Sequence, residues 1–308
     1  MRIVMLGHSN AGKTTYMAMM YQLMNVKGYR GFRIVAKDCD RHAELLDNAR
    51  AIESDRYPPP TARHSEYDFT LHFEGREISD FTWSDYRGGA IMERSTSADT
   101  AALLNDVAAS DAVVIFADAH ELATSPGSHV NIEDLTDLMH RAIEERADAK
   151  PLVLAFTKAD LVRKTSDWTS AVEPFEGVRR AMDTSRNVKA TTVTVSCGRK
   201  VKAVQVPVLW CLSYGLANEA KALRNRVAYY QRRADEHGEN DTLFNRVGSW
   251  WRNEESEHHK QLQYLARAEE KLAELAPLED RAKELAAALT KAQRKDGPPR
   301  AFRRAGRF

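Results

Sequence analysis

The chain has 308 residues, of which 43% are hydrophobic and 29% charged, a composition typical of a globular protein with one large domain and a smaller appendage. The formal net charge of +1 gives no overall field that would favour a nucleic acid partner, and the three cysteines are too widely spaced for a disulfide framework or a zinc site. No apolar run reaches the roughly 20 residues of a membrane-spanning helix and no signal peptide is recognisable, so we expect a cytoplasmic protein.

Short apolar runs alternate with helical patterns from residue 2 to about residue 216, which predicts an α/β fold with a doubly wound, mostly parallel sheet. The predicted strands are 2–6, 32–37, 67–73, 77–85, 112–118, 151–157 and 190–196. The runs at 112–118 and 151–157 are apolar on both faces and are expected in the centre of the sheet, whereas the alternating run 67–73 is expected near an edge. Helices are predicted at 14–25, 38–53, 97–109, 131–147 and 168–183.

Two long helices are predicted in the last third of the chain. One begins at about Pro207 and ends at the sequence HGEND, and the other runs from about residue 254 to residue 294. The apolar stripe of the second helix contains Leu262, Leu265 and Leu272 and shifts its register near Pro277. Two helices of similar length joined by a break are typical of an antiparallel hairpin.

These patterns divide the chain into an α/β domain at 1–216, a helical hairpin or coiled-coil extension at 217–295 and a basic tail at 296–308. The hairpin starts from the last helix of the α/β domain, at about residue 207. The tail is predicted to be disordered. Its Lys and Arg residues, together with Phe302 and Phe308, could contact anionic lipid or nucleic acid, or could simply aid solubility.

An aromatic segment with the sequence FNRVGSWWR separates the two long helices. It places Phe244, Val247, Trp250 and Trp251 at helical spacing. Such a segment could insert into a membrane interface or occupy a groove on a partner protein. Packing of the same aromatics onto the protein itself explains the pattern equally well.

The sequence GHSNAGKT at residues 7–14 matches the phosphate-binding pattern G-x-x-x-x-G-K-[ST] and lies between a predicted strand and a predicted helix. Gly7 and Gly12 allow the backbone to turn so that successive N–H groups face a phosphate at the positive end of the helix. Lys13 is expected to bridge two phosphates, and the Thr14 hydroxyl is expected to bind Mg²⁺. The other nucleotide contacts predicted in this loop are Asn10, Ala11 and Thr15.

A second motif, DYRGG, follows the predicted strand 77–85. Asp85 would hold Mg²⁺ through a water molecule, and the Gly88 N–H would sense a γ-phosphate, so that loss of this phosphate releases the following segment. Upstream, Thr61 follows three prolines and could complete the Mg²⁺ shell in the triphosphate state. The alternative for Thr61 is an ordinary stiff surface loop.

A third motif, TKAD at residues 157–160, closes the apolar strand 151–157, where a base-reading loop of an open α/β sheet belongs. Asp160 can accept hydrogen bonds from N1–H and N2–H₂ of guanine, whereas the edge of adenine would leave this buried carboxylate unpaired. The Lys158 stem can lie along the base. In the sequence SCG, Ser196 is expected to brace this loop, and the Cys197 N–H is expected to meet guanine O6.

In their order and spacing, GHSNAGKT, Thr61, DYRGG, TKAD and SCG resemble the motifs of the TRAFAC-class (Ras-like or Era-like) small GTPases over residues 1 to about 216. The chain looks most like the bacterial double-GTPase-type small GTPases of conflict and signalling systems. This resemblance implies a P-loop G domain that binds GTP or GDP with Mg²⁺, acts as a switch beside partner GTPases or effectors, and operates in a setting such as anti-phage immunity.

The chain also departs from that family pattern. Gly89 stands where many Ras-like proteins have the glutamine that orients the attacking water, so intrinsic GTP hydrolysis is expected to be slow unless a partner supplies a group in trans. Thr157 replaces the commoner asparagine of the base-reading motif. Asn10 occupies the position at which Era-like GTPases use asparagine to hold K⁺, which implies K⁺ as a further cofactor, although Asn10 could merely stabilise the loop.

The leading hypothesis is a GTP-binding switch in which segments 54–66 and 86–96 reorder with the γ-phosphate and the hairpin reports the nucleotide state to a protein partner or a second copy. A scaffold that holds nucleotide without hydrolysing it is the alternative, and a P-loop ATPase is a third reading that requires TKAD to be accidental.

Overall fold

The computed structural model describes residues 1–59, 64–86, 98–125, 150–184, 188–198, 200–239, 257–296 and 298–305. Its strands are β1 (Arg2–Leu6), β2 (Phe32–Ala36), β3 (Ser65–Phe73), β4 (Arg76–Asp85), β5 (Ala112–Asp118), β6 (Lys150–Thr157) and β7 (Val188–Thr194). Its α-helices are α1 (Lys13–Gln22), α2 (Cys39–Glu53), α3 (Ala98–Ala109), α4 (Ala119–Thr124), α5 (Thr165–Val172), α6 (Glu176–Thr184), α7 (Gln205–Glu239), α8 (Glu257–Lys295) and α9 (Arg300–Ala305).

The strands form one seven-stranded sheet in the order β2-β3-β4-β1-β5-β6-β7. Strand β3 is antiparallel to both of its neighbours, β2 and β4. The other described pairs, from β4 to β7 in the sheet order, are parallel. Every residue of β5 and β6 is buried, which confirms the two strands expected at the centre. Strand β3 lies next to the edge strand β2, as its alternating pattern predicts. Since β1, β4, β5, β6 and β7 pair in parallel, the predicted mostly parallel α/β sheet is confirmed.

The sheet topology creates a crevice at the carboxyl end of β1. From β1 the chain proceeds through α1 to the β2-β3-β4 side of the sheet, whereas β5, β6 and β7 lie on the other side. Open α/β sheets bind ligands where the strand order reverses in this way. The register places Asp85 beside Met5, and Asp118 beside Thr157, so residues that leave β1, β4, β5 and β6 come close together.

Most of the longer described helices lie where hydrophobic periodicity predicts them, whereas the short helix α4 has no predicted counterpart. Two of the predicted helices also differ in form. Helix α1 continues into a π-helical turn, Leu23–Lys27, and the predicted helix 168–183 is interrupted by a 3₁₀ turn at Glu173–Phe175. Pro174 lies in that turn and lacks the N–H that an uninterrupted α-helix needs. The helix predicted at 131–147 lies outside the described residues.

The chain divides into two compact units, residues 1–215 together with 285–308, and residues 216–284. The sequence predicts the hairpin at 217–295, whereas the second unit covers residues 216–284. Leu285, Leu289 and Ala292 belong to the first unit and are buried. The apolar stripe from Leu285 onward therefore belongs to the core of the first unit, whereas Leu278 packs within the second. The Gln205 amide donates to Asp296 at 2.6 Å within the first unit.

Within the second unit, α7 and α8 pack antiparallel, since residues further along α7 contact residues earlier along α8. Leu223 packs against Leu275, Arg224 forms an ion pair with Glu279, and the rings of Tyr230 and Tyr264 stack with centroids 6.3 Å apart, while Gly238 lies close to Gln261.

The α8 residues Leu262, Leu265 and Leu272, which the spacing predicts in the packed stripe, are instead exposed. The residues of α8 that are buried in this unit lie on a neighbouring face, at Ala268 and Leu275. The aromatic segment at Phe244–Trp251 lies outside the described residues.

The predicted disordered tail is wrong for residues 300–305, which form α9 and belong to the first unit. Phe302 is only 1% exposed and packs edge to face on Trp168, with ring centroids 4.9 Å apart, and against Phe156 at 5.6 Å. The free energy gained by burying this large aromatic side chain offsets the conformational entropy lost when the short basic helix is ordered. In the described ranges, no helix combines the length and the apolar composition that a membrane span requires.

Candidate functional site

A cavity of about 460 Å³ opens at the carboxyl ends of β1 and β6. Its walls are formed by residues 9–15, residues 57–59, Thr157, Lys158, Asp160, Leu161 and residues 197–198. The predicted phosphate loop, the TKAD loop and the SCG segment therefore line one cavity although they are far apart in the sequence. Its volume is typical of a site for a small organic ligand or cofactor.

The glycines of the phosphate loop are required by its shape. Gly7 has φ +148°, and a Cβ atom there would lie 2.6 Å from the backbone carbonyl oxygen of Phe116 on β5. Gly12 has φ +81°, in the left-handed region, and directly precedes α1. Only glycine adopts both conformations without strain, and the resulting turn presents backbone N–H groups at a helix N-terminus, which favours binding of an anion.

Lys13 lies at the closed end of this loop and is only 5% exposed. Its ammonium group donates to the carbonyl oxygens of Gly7 at 2.8 Å and His8 at 3.2 Å. Burial lowers the pKa of Lys13, and the nearby Asp85 carboxylate partly opposes this effect. Asp85 is itself buried at the end of β4 and lies near Lys13, and Thr14 is half-buried in the cavity wall.

The TKAD loop is anchored to the phosphate loop through Thr157. Its buried hydroxyl lies 2.9 Å from the Ala11 carbonyl oxygen and 3.1 Å from that of Ala117, so a threonine here connects β6 to both β5 and the phosphate loop. Lys158 follows with φ +51° and forms an ion pair with Asp118. Asp160 lines the cavity and is exposed, in contrast to the buried carboxylate expected from the sequence.

The SCG segment also reaches the cavity, although the contact that braces the TKAD loop differs from the predicted one. The Ala159 N–H donates to the carbonyl oxygen of Val195 at 3.2 Å, whereas Ser196 pairs through its backbone with Lys202. Cys197 lines the cavity, and burial together with the nearby Asp160 carboxylate raises the pKa of its thiol to about 12. The thiol is therefore protonated at neutral pH.

Thr61, Gly88 and Gly89 lie outside the described residues, but the residues that flank their segments are in contact. The His64 ring stacks on Tyr86 with centroids 4.2 Å apart, and the Tyr86 hydroxyl donates to Asp106 on α3. Burial and the Asp106 carboxylate raise the pKa of Tyr86 well above its ordinary value.

His64, Glu66 and Asp106 are close enough together to share a metal ion. Arg2, however, forms ion pairs with both carboxylates, so we interpret this group as an ion-pair network.

Tyr57 is a cavity residue that sequence analysis missed. It lies in the wall near Asp160, and its hydroxyl oxygen is 3.2 Å from the position of a Cβ atom built on Gly198. The side chain is 56% exposed, so its ring is available to a ligand. The available signal was an aromatic residue immediately before the three prolines, which restrict the backbone that follows it.

Comparison with known proteins gives the family. A family model described as Double-GTPase 2 matches residues 2–205. No curated protein matches the chain. Similar solved structures include the signal recognition particle receptor SRb-GTP/SRX complex from Chaetomium thermophilum, with 14% identity, a TM-score of 0.40 and coverage of 64% of this chain and 90% of that chain.

Two further similar structures are described as a small GTPase and as a GTPase-like domain. The Arl6 BBS3 small GTPase from Trypanosoma brucei, with bound GppNp, has 14% identity and a TM-score of 0.38, and the match covers 70% of this chain and 96% of that chain. The Ski7 GTPase-like domain from S. cerevisiae, bound to GTP, has 14% identity and a TM-score of 0.37, and the match covers 63% of this chain and 42% of that chain. Since the family match spans well over half of the sequence and carries the cavity-lining loops, the chain belongs to the Double-GTPase 2 family.

Proposed function

We propose that this protein is a guanine-nucleotide-binding switch that binds GTP and GDP with Mg²⁺. One observation carries the proposal: a single cavity is lined both by the phosphate loop of residues 9–15 and by Asp160, within a chain of a double-GTPase family. Gly7, Gly12 and Lys13 hold the phosphates in this proposal, with backbone N–H groups of Asn10, Ala11, Thr14 and Thr15 completing the contacts.

Magnesium fits the oxygen donors beside Lys13. Thr14 offers a hydroxyl in the cavity wall and Asp85 a carboxylate at the end of β4, and Mg²⁺ prefers such hard oxygen ligands together with phosphate oxygens and water. In the proposal, Thr14 binds the ion directly, Asp85 holds it through water, and Thr61 joins the shell in the triphosphate state. The ion would neutralise phosphate charge next to the buried Lys13 ammonium.

Guanine selection is assigned to the TKAD loop and the SCG segment. Asp160 accepts from N1–H and N2–H₂ of guanine, the Lys158 stem lies along the base, and the Cys197 N–H donates to O6. Adenine offers neither the donor pair nor an acceptor at C6, so it would leave these groups unpaired once the cavity is filled. Thr157 and the segment that contains Ser196 position this loop through their contacts with neighbouring backbone.

Slow hydrolysis is expected because Gly89 provides no side chain to orient water. In single-turnover assays with GTP, we expect cleavage slower than about 10⁻³ per second, with acceleration by a partner that supplies a catalytic group in trans. Lys13→Ala is the negative control for contaminating phosphatase. Fast cleavage by the chain alone would contradict the prediction, and no product with any candidate partner would favour the nucleotide-holding scaffold.

The switch segments have a physical connection to α3 in this proposal. Tyr86 directly follows Asp85, stacks on His64 and donates to Asp106, so a change in either phosphate-sensing segment would act on α3. Helix α7, which runs from Gln205 to Glu239, offers a second route toward a protein partner or a second copy. Family membership supports a setting in bacterial conflict signalling, with anti-phage immunity as one such role.

Potassium dependence remains a separate prediction. Asn10 lines the phosphate end of the cavity with φ +65°, and its side-chain oxygen is a suitable ligand for K⁺ near the phosphates. We therefore expect faster GTP turnover in K⁺ than in Na⁺ at equal ionic strength. Equal rates in the two salts, or the same K⁺ effect in Asn10→Ala, would contradict this role.

Tyr57→Ala is expected to raise the Kd for GDP about tenfold, because base–aromatic stacking contributes about 1–3 kcal/mol. The ring is exposed in the cavity wall and would be covered by a bound base. Fluorescence titration with a labelled GDP measures the change. Tyr229→Ala, which removes a comparably exposed tyrosine from α7, is the matched control. An unchanged Kd in the Tyr57 variant would place the base elsewhere.

A further inference from the structure

Asp118, the last residue of β5, uses its two carboxylate oxygens for different contacts. One oxygen accepts from the backbone N–H groups of His120 at 3.0 Å and Glu121 at 3.1 Å, and so caps the short helix α4. The other oxygen forms the ion pair with Lys158. Asp118 is 8% exposed, so its carboxylate is held in place before it contacts the lysine. The contacts of α4, β5 and the TKAD loop therefore meet at one side chain.

Lys158 needs such an anchor because of its position. It lines the cavity, has the left-handed φ of +51°, and follows Thr157, which lies beside Asp118 in the β5–β6 register. A lysine side chain has a flexible four-carbon stem and a strongly hydrated ammonium group, so without a partner it samples many rotamers and extends into water. Pairing with Asp118 instead holds the stem against the cavity wall.

We propose that Asp118 is a positioning residue for nucleotide binding, which sets the Lys158 stem as one wall of the purine subsite. This inference rests on the proposed guanine-nucleotide function. An exposed ion pair between two mobile side chains contributes little, since ordering both side chains offsets the attraction. Here the carboxylate is buried and fixed by two backbone donors, so forming the ion pair restricts mainly the side chain of Lys158. This loss of side-chain entropy occurs before the nucleotide binds.

Capping of α4 is the competing role for Asp118, and substitutions separate the two roles. Asp118→Asn keeps an amide oxygen for the backbone N–H groups of α4, because asparagine is as good a cap as aspartate, but removes the charge that holds Lys158. Asp118→Ser also keeps a capping oxygen and is too short to reach the lysine. Lys158→Met keeps an apolar stem and removes the ammonium group.

The experiment measures release of fluorescent GDP from the full chain after addition of excess unlabelled GDP, for wild type, Asp118→Asn, Asp118→Ser, Lys158→Met and the double variant Asp118→Asn/Lys158→Met. We expect each Asp118 variant to release GDP about tenfold faster, since the charged contact that holds the Lys158 stem in place is lost. In the Lys158→Met background, the Asp118→Asn substitution is expected to have no further effect on the release rate. Asp80→Asn, which breaks the ion pair with Lys37 outside the cavity, is the matched control and should leave release unchanged.

Unchanged release in both Asp118 variants, with wild type binding GDP, would overturn this inference and leave the proposed function standing. The same increase from Asp118→Asn in the wild-type and Lys158→Met backgrounds would also overturn it, because the effect would then come from the cap. Wild type that binds no guanine nucleotide would overturn the proposed function and this inference together. Melting curves show whether Asp118→Asn folds. If it does not fold, the release rate of Asp118→Ser provides the test.

Discussion

Lys13→Ala is expected to weaken binding of GDP and GTP by at least about 100-fold. The ammonium group is buried and already directed at the turn of the phosphate loop, where it donates to the carbonyl oxygens of Gly7 and His8. Lys13 is only 5% exposed, so the folded chain has largely removed this cation from water before any phosphate binds, and this burial lowers its pKa. A charge-assisted bond to phosphate in such a site contributes about 3–5 kcal/mol when only one partner is removed.

Isothermal titration calorimetry of wild type and Lys13→Ala with GDP, GTP and ATP measures this loss. Lys37→Ala is the control, because Lys37 is an exposed lysine whose ion pair with Asp80 lies outside the cavity. The substitution also removes the cation beside the buried Asp85 carboxylate, so melting curves must show that Lys13→Ala is folded at the temperature of the titration. Equal affinities of wild type and Lys13→Ala would exclude the phosphate loop as the binding site.

The sheet was predictable from the sequence because hydrophobic pattern alone determines most of it. β5 and β6 are buried along their full lengths and read as continuous apolar runs, while the phosphate loop matches a pattern whose glycines are required by the φ values found at Gly7 and Gly12. Local signals of this kind need no knowledge of distant contacts.

The features that were missed depend on contacts between distant parts of the chain. Phe302 lies in a basic, proline-containing segment that reads as disordered, and only its packing on Trp168 and Phe156 makes it part of a core. Tyr57 forms part of the cavity wall together with residues 197–198, which lie more than a hundred residues later in the chain. The brace of the TKAD loop by the Val195 backbone rather than Ser196 has no side-chain signature at all.

Asp160→Asn is expected to change the base preference of the cavity from guanine to xanthine. The carboxylate can accept from both N1–H and N2–H₂ of guanine, whereas an asparagine amide offers one acceptor and one donor group. Xanthine has N1–H as a donor and an oxygen at C2 as an acceptor, which match that amide. With guanine, the amide oxygen still accepts from N1–H without the charge of a carboxylate, while N2–H₂ meets the amide NH₂ and finds no acceptor. Since a hydrogen bond to a charged group contributes about 1.5–3 kcal/mol, the affinity for GTP should fall by about 100-fold while that for XTP rises.

Competition of XTP, GTP and ATP against a labelled nucleotide tests this exchange, with Asp167→Asn as the control because Asp167 is a half-buried acid on α5 that does not line the cavity. Asp160 is exposed in the structure, so the substitution leaves no buried group unpaired and should not lower the melting temperature. A loss of GTP binding without a gain of XTP binding would mean that Asp160 attracts the ligand only through its charge. Unchanged GTP binding would place base selection outside the TKAD loop, and equal binding of ATP and GTP by wild type would remove guanine selectivity altogether.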